Sequence, residues 1–315
     1  MSRRPSRFRE PAAGAWLAAV AAFAMASALA RDASAQACCA GASAVTPARL
    51  ALHEDALVGL QVRGAAVLGS FDDARHYTPN PAGASELDVE QDLFGALRVL
   101  ERGQIAALVP LLETRRAAQG ASEIGAGLGD VNLALRYDFH LAGQSRYAPG
   151  IAALGGVTFP TGRAPDASSK PLATDATGIG AYQGTLGVAL EQTFGPWLVN
   201  VTGLAAKRTS RTVQGVDETL GTQLTLLAAG GYTFPNDAAV ALVASYTAEG
   251  RATINGAGAE ASARSVVSIG AAGVWPLSDR WRVQGAVTLN PLLSGFGRNQ
   301  PATGGMTFVL VRSWS

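Results

Sequence analysis

Gly129-Asp130-Val131-Asn132-Leu133-Ala134-Leu135-Arg136-Tyr137-Asp138-Phe139 puts Val131, Leu133, Leu135, Tyr137 and Phe139 at every second position, with Asp130, Asn132, Ala134, Arg136 and Asp138 between them. Successive side chains of a strand point to opposite faces, so this stretch has one apolar face and one polar face. A helix would mix the two sets around its circumference, so the period of two selects a strand.

The same alternation recurs along the chain. In 87–99, Leu87, Val89, Leu93, Leu97 and Val99 oppose Asp88, Glu90, Asp92 and Arg98. In 184–194, Leu186, Val188, Leu190 and Phe194 oppose Thr185, Glu191 and Thr193, and in 281–289, Trp281, Val283, Val287 and Leu289 oppose Arg282, Gln284 and Thr288. Twelve such segments are predicted, near 57–71, 86–100, 104–114, 128–139, 147–160, 180–194, 197–207, 219–234, 238–249, 263–275, 281–290 and 304–314.

Composition explains what a chain of such strands would be for. Of 315 residues, 16% are charged and 37 are glycine, with a net charge of +1. Soluble domains carry about 25% charge and about 7% glycine. Low charge suggests a membrane, yet a helical span needs about 20 consecutive apolar residues, and only the extreme N-terminus approaches that. Ample apolar content argues against disorder. The absence of a basic excess argues against nucleic acid as a partner. The remaining class is all-β: a transmembrane antiparallel up-and-down β-barrel of about twelve strands, whose apolar residues are spread over alternate positions.

The N-terminus reads as an export signal. Arg3, Arg4, Arg7 and Arg9 precede an apolar stretch over 13–30, and Ala33-Ser34-Ala35 and Ala35-Gln36-Ala37 offer small residues at cleavage spacing. The expected organisation is a signal peptide over 1–37, a periplasmic N-terminal segment over 38–56 and an outer-membrane barrel over 57–315. Cys38 and Cys39 are the only cysteines, so a long-range disulfide framework is excluded.

Connections alternate in length. Short ones fall at 101–103, 140–146, 195–196, 235–237 and 276–280, and long ones are expected near 72–85, 115–127, 161–179, 208–218, 250–262 and 291–303. Outer-membrane barrels have short periplasmic turns and long external loops, so an even strand count puts both termini in the periplasm. Phe194, Trp197, Tyr232, Trp275, Trp281 and Trp314 all border the short-turn end, as a periplasmic aromatic girdle would. The C-terminal run Phe308-x-Leu310-x-x-x-Trp314 resembles a barrel-assembly signal, although Arg312 interrupts its apolar side. Outer-membrane lipids and the barrel-assembly machinery are the expected partners.

Gly127-x-Gly129-Asp130-Val131-x-Leu133-x-x-Arg136-Tyr137, then Gly155-Gly156-Val157-Thr158-Phe159-Pro160-Thr161-Gly162-Arg163, then Gly178-x-Gly180-x-Tyr182-Gln183, together resemble the outer-membrane family labelled after the meta-pathway of phenol degradation. The resemblance implies a barrel and a channel associated with uptake of small hydrophobic or aromatic compounds. It supplies no catalytic residues.

The polar parity defines an expected lumen that includes Arg63, Glu90, Asp92, Arg98, Glu113, Asp130, Asn132, Arg136, Asp138, Gln183, Glu191, Gln223, Glu249, Arg282 and Gln284. Glu90, Asp92, Arg98, Asp130, Asn132, Arg136 and Asp138 are the candidates for a constriction, since lumen charges can line a pore or pair across strands and narrow it. The expected function is a passive channel for small solutes in the bacterial outer membrane; the solute is unknown. The alternatives are a structural or surface-exposed barrel without transport and, third, a barrel enzyme. An enzyme needs a base placed with a partner. Of His53, His76 and His140, only His76, near Asp72 and Asp73 in the first long loop, is positioned outward. No cofactor and no metal cluster are expected.

Overall fold

A computed structural model describes residues 48–118, 120–145, 147–213 and 215–315. The expected signal peptide over 1–37 and Cys38–Cys39 lie outside the described residues. Among the described residues no helix is long and apolar enough to cross a membrane, and the chain crosses with strands instead.

Twelve antiparallel strands form the wall. They are β1 (Ala56–Phe71), β2 (Ser85–Leu100), β3 (Gly103–Ala118), β4 in two pieces (Ala121–Leu128 and Val131–His140), β5 (Gly150–Phe159), β6 (Gln183–Phe194), β7 (Trp197–Arg208), β8 (Gln223–Thr233), β9 (Ala239–Glu249), β10 (Arg264–Pro276), β11 (Trp281–Leu289) and β12 (Gln300–Trp314). Each pairs with its neighbours in sequence, and β1 pairs with β12 from Ala56↔Trp314 to Phe71↔Gln300, which closes the ring. Closure removes the unpaired edges that a membrane cannot tolerate. All twelve expected segments are present.

Alternation does what the sequence requires of it. One parity faces outward and is exposed and apolar: Leu186 is 73% and Leu242 72% exposed. A belt of such residues has no stable environment in water and fits a hydrocarbon layer. The other parity faces the lumen, where Leu57, Phe94, Ala96, Val309 and Val311 make a small packed core. Gly59 and Phe94 face each other across β1 and β2. The Phe94 ring occupies the space a Gly59 side chain would need, so this glycine is fixed by close approach.

Two expectations are corrected. Residues 115–127 are no long loop: β3 and β4 continue through them, paired from Leu111↔Leu128 to Ala118↔Ala121. At ~3.3 Å per residue, the 16 residues of β3 span about 50 Å, well beyond an apolar band of about 25 Å. The upper hairpin therefore stands outside the membrane, where neither face must be apolar, and its sequence loses the alternation that marks a wall strand. Glu113, expected in the lumen, is the second correction. It pairs with Val89 on the outward parity, and it sits in this upper region where an outward charge can meet water.

The other connections keep their expected classes. Turns at 101–102, 141–149, 195–196, 234–238 and 277–280 occupy one end, and loops at 72–84, 160–182, 209–222, 250–263 and 290–299 the other. The loops after β7 and β9 share a small sheet built from Arg211–Val213, Val216–Thr219, Thr253–Ile254 and Ala257–Gly258.

Candidate functional site

Register decides which lumen charges meet. Across β1–β3 the directly opposed pairs are Gln61↔Asp92, Arg63↔Glu90, Asp88↔Thr114 and Glu86↔Arg116. Each pair makes a side-chain bond: Gln61 Nε2 donates to Asp92 at 2.6 Å, Arg63 pairs with Glu90, Thr114 donates to Asp88 at 2.7 Å, and Arg116 pairs with Glu86 at 2.7 Å. Opposite partners on one face are the unit of sheet stabilisation. This side of the lumen is thus a polar ladder paired within the wall, although Asp92 Oδ1 is buried there without a hydrogen-bond partner among the described residues.

At the short-turn end, the segment before β1 crosses the lumen. Leu50 packs into the core of Leu57, Phe94 and Val311. Its N–H donates to Gln104 Oε1 at 3.1 Å. Arg98, on β2, donates to the carbonyls of Ala51 (2.6 Å) and Glu54 (2.8 Å). Glu54 forms a buried ion pair with Arg282 on β11. Arg49 reaches Glu191 on β6. Glu191 is buried, pairs with Arg136 at 3.3 Å and accepts a hydrogen bond from Asn200 at 3.0 Å, while Arg136 also pairs with Asp138 at 2.6 Å. Two cations and two carboxylates are balanced there, as buried charge demands. Residues 48–55 of the expected periplasmic segment therefore lie inside the barrel end.

At the long-loop end, the loop over 160–182 folds onto the lumen side of β3 and β4. A bulge at Gly129–Asp130 interrupts β4 and points the Asp130 carboxylate at this loop. Asp130 accepts the main-chain N–H of Gly162 at 2.9 Å and of Ile179 at 2.6 Å. Thr161 Oγ1 donates to Gly129 O at 2.7 Å and Thr177 Oγ1 to Leu128 O at 2.6 Å. Gly178 is tied to its type by space: an added Cβ would collide with Asp130 and with the Gly162 backbone. Farther out, Asp175 is almost wholly buried and pairs with Arg163 at 2.5 Å. Hydrogen bonds from the Ser168 and Ser169 hydroxyls, then from the Ser169 N–H and Arg163, outweigh burial and hold the Asp175 carboxyl well below the usual carboxylate range.

Between these two closures lies a lumen cavity of about 270 Å³. Its middle is lined by Ala106, Leu108, Ala134, Leu154 and Leu204, with Asn132, Thr185 and Thr202 as the polar groups, and Arg49, Arg136 and Glu191 form its floor. Cavities near this size hold small organic molecules; about 150 Å³ accommodates benzene.

The seven constriction candidates do not form one ring. Arg136 and Asp138 join at the floor with Glu191 and Arg49. Asn132 lines the cavity and donates to Thr158 at 2.9 Å. Glu90 and Asp92 belong to the polar ladder. Arg98 anchors the N-terminal segment, and Asp130 fastens the external loop. Phe194, Trp197, Tyr232, Trp275, Trp281 and Trp314 all fall on the outward parity at the short-turn end, with Trp197 and Tyr232 in edge contact at 5.0 Å. Sequence reasoning missed Arg49, Glu54, Thr161 and Thr177. The isolated charges Arg49 and Glu54 just before β1 were the available signal. His76 contacts Asp72 at 3.4 Å, both exposed. Among the described residues no group of three or more His, Cys, Asp or Glu could hold a metal.

The residues resembling a family signature, 127–130, 160–163 and 178–180, are those that meet in the loop fastening. A family model described as "Putative MetA-pathway of phenol degradation" matches residues 72–308. The chain belongs to this family. The family match spans β2 to β11 and β12 as far as Phe308, and leaves out β1. Among solved structures, the COG4313 outer membrane channel from Pseudomonas putida F1 is similar with a TM-score of 0.70 at 14% identity, covering 85% of this chain and 97% of that one. The transport unit of the autotransporter AIDA-I from Escherichia coli matches with a TM-score of 0.45 at 8% identity, covering 83% and 90%. No curated protein matches in sequence. This family member has the fold of a bacterial outer-membrane β-barrel.

Proposed function

We propose that this outer-membrane barrel is a passive channel for small, largely apolar solutes of about the size of one aromatic ring. The carrying observation is the cavity of about 270 Å³, apolar at mid-depth with a few hydroxyl and amide groups. Sites for small ligands have this make-up: apolar walls and a few polar groups that orient the ligand. The Pseudomonas putida protein of the same fold is described as a channel, which agrees with this reading. Short turns facing the periplasm orient the barrel. In that orientation the segment over 48–55 narrows the periplasmic mouth and the loop over 160–182 narrows the external one. The last strand, ending in Trp314, is the part offered to the barrel-assembly machinery.

We read the barrel as non-catalytic. A hydrolytic centre needs a nucleophile and a base within hydrogen-bond reach. His76 faces an exposed carboxylate, and His140 Nδ1 lies 3.0 Å from the Pro149 carbonyl.

Liposome swelling with sugars, aliphatic acids, benzoate and phenol tests the reading. Aromatic solutes are expected to enter faster than sugars of similar mass, and Leu204→Trp, which fills the cavity, to slow them. Equal rates in protein-free and protein-loaded vesicles would favour a barrel without transport.

A further inference from the structure

Arg312 stands on the outward parity of β12, between the apolar residues Leu310 and Trp314, directly opposite Val58 on β1 and Trp281 on β11. A guanidinium facing lipid is costly at mid-membrane and tolerable only near the interface. Its surroundings place it at that interface. The carbon of the guanidinium lies 4.9 Å from the Trp314 ring centre and 5.6 Å from that of Trp281. Indoles prefer the headgroup level of a membrane, and they hold an arginine through the attraction of a cation to a ring face.

The clamp leaves the charge unanswered. Among the described residues no carboxylate forms an ion pair with Arg312, and its Nε, buried by the surrounding side chains, has no hydrogen-bond partner. Asp279, in the adjoining turn, makes no ion pair with it, and the nearby Asp55 is engaged by Arg98. Every other outward residue of β12 from Met306 to Leu310 is apolar, so a cation is out of place here unless something outside the protein meets it. Neither ring supplies a hydrogen-bond acceptor of the carboxylate kind for the N–H donors along the guanidinium edge. That edge matches the paired oxygens of a phosphate.

We propose that Arg312, clamped by Trp281 and Trp314, is a binding site for the phosphodiester headgroup of a membrane phospholipid. The lipid's acyl chains would run along the outward row of Val58, Leu60, Val283 and Leu310. The site lies on the rim of the short turns, so in the orientation above its ligand belongs to the inner leaflet. The inference requires only that the barrel spans the membrane and is independent of transport.

The test uses the refolded chain in neutral detergent, titrated with phosphatidylglycerol bearing brominated acyl chains, which quench nearby tryptophans. Brominated diacylglycerol, which lacks the phosphate, is the reference lipid. Wild-type quenching should reach its midpoint at about tenfold lower phosphatidylglycerol than diacylglycerol, the scale of charge-assisted hydrogen bonds. Arg312→Gln should abolish that preference while keeping the heat-modifiable gel mobility of a folded barrel. Millimolar inorganic phosphate should leave the quenching unchanged. Equal midpoints for the two lipids in wild type would overturn the proposal, and this arm decides even if Arg312→Gln does not fold. A preference retained in Arg312→Gln would overturn it as well. Displacement by inorganic phosphate would make the site one for free anions and overturn the lipid assignment.

Discussion

Replacing Asp130 should loosen the external loop without opening the barrel. The carboxylate accepts two main-chain N–H groups, from Gly162 at 2.9 Å and Ile179 at 2.6 Å, which stand at opposite ends of the loop over 160–182. Hydrogen bonds to a charged group contribute about 1.5–3 kcal/mol each. In Asp130→Ala both are lost, but water can satisfy the two N–H groups once the loop lifts, so a net effect of about 3 kcal/mol is reasonable. That corresponds to roughly a hundredfold rise in the open population. Thr161 and Thr177 still hold the β4 backbone, so the change should stay local. Asp130→Asn keeps one acceptor oxygen and should show about half the free-energy change. Two measurements read the opening directly: hydrogen exchange at the Gly162 and Ile179 amides, and tryptic cleavage after Arg163 in the folded barrel. Both follow the open population when reclosing is fast. Unchanged exchange at both amides in a folded Asp130→Ala barrel would refute the assignment of this carboxylate as the loop's fastening.

Arg49→Ala should raise single-channel conductance in planar bilayers by freeing the segment over 48–55 from Glu191. Because it leaves a buried carboxylate short of a cation, it should also cost about 3 kcal/mol or more in denaturant midpoint experiments; conductance equal to wild type would remove the segment from the permeation path. Asp175 has its carboxyl held below the ordinary range. A depressed folded-state value means its stabilisation is fully present above the unfolded carboxylate range and is lost as pH falls through the folded value. Loop protection should therefore persist at pH 5 and fail only in strong acid, and Asp175→Asn should already be loosened at neutral pH; protection that fell away between pH 7 and 5 would contradict this. Phe94→Ala empties the packed core beside Gly59 and should lower stability by about 3–5 kcal/mol, measured by loss of heat-modifiable mobility with urea.

Wall strands were legible because lipid and lumen impose opposite polarity on alternate residues, and 131–139 shows this without interruption. The upper halves of β3 and β4 were not, because outside the membrane neither face is selected for apolarity. Arg115, Arg116, Ser122 and Glu123 read as a loop although they are paired strand. The signature around Asp130 and Gly162 was visible as a resemblance. Its purpose was hidden, since residues about 30 and 50 positions apart meet only once β4 and β5 are paired. The lumen face could be named from parity, yet grouping Glu90 with Arg136 failed, because parity fixes the face and not the depth. Residues 48–55 have no period, so nothing local announced that they cross the lumen.

The Glu54–Arg282 pair has a consequence for the order in which the ring is completed. Glu54 precedes the first strand and Arg282 lies on the eleventh, so their contact spans the twelfth, the last to be synthesised. The joint between the chain's two ends is thereby stapled from within, and Asp55 N–H adds a bond to Trp314 O at 2.7 Å. In an up-and-down ring this joint forms after every other neighbour is available and is the natural place for a barrel to unzip. Here, parting β1 from β12 also requires tearing a buried carboxylate from its guanidinium, so the joint made last should not be the first to yield.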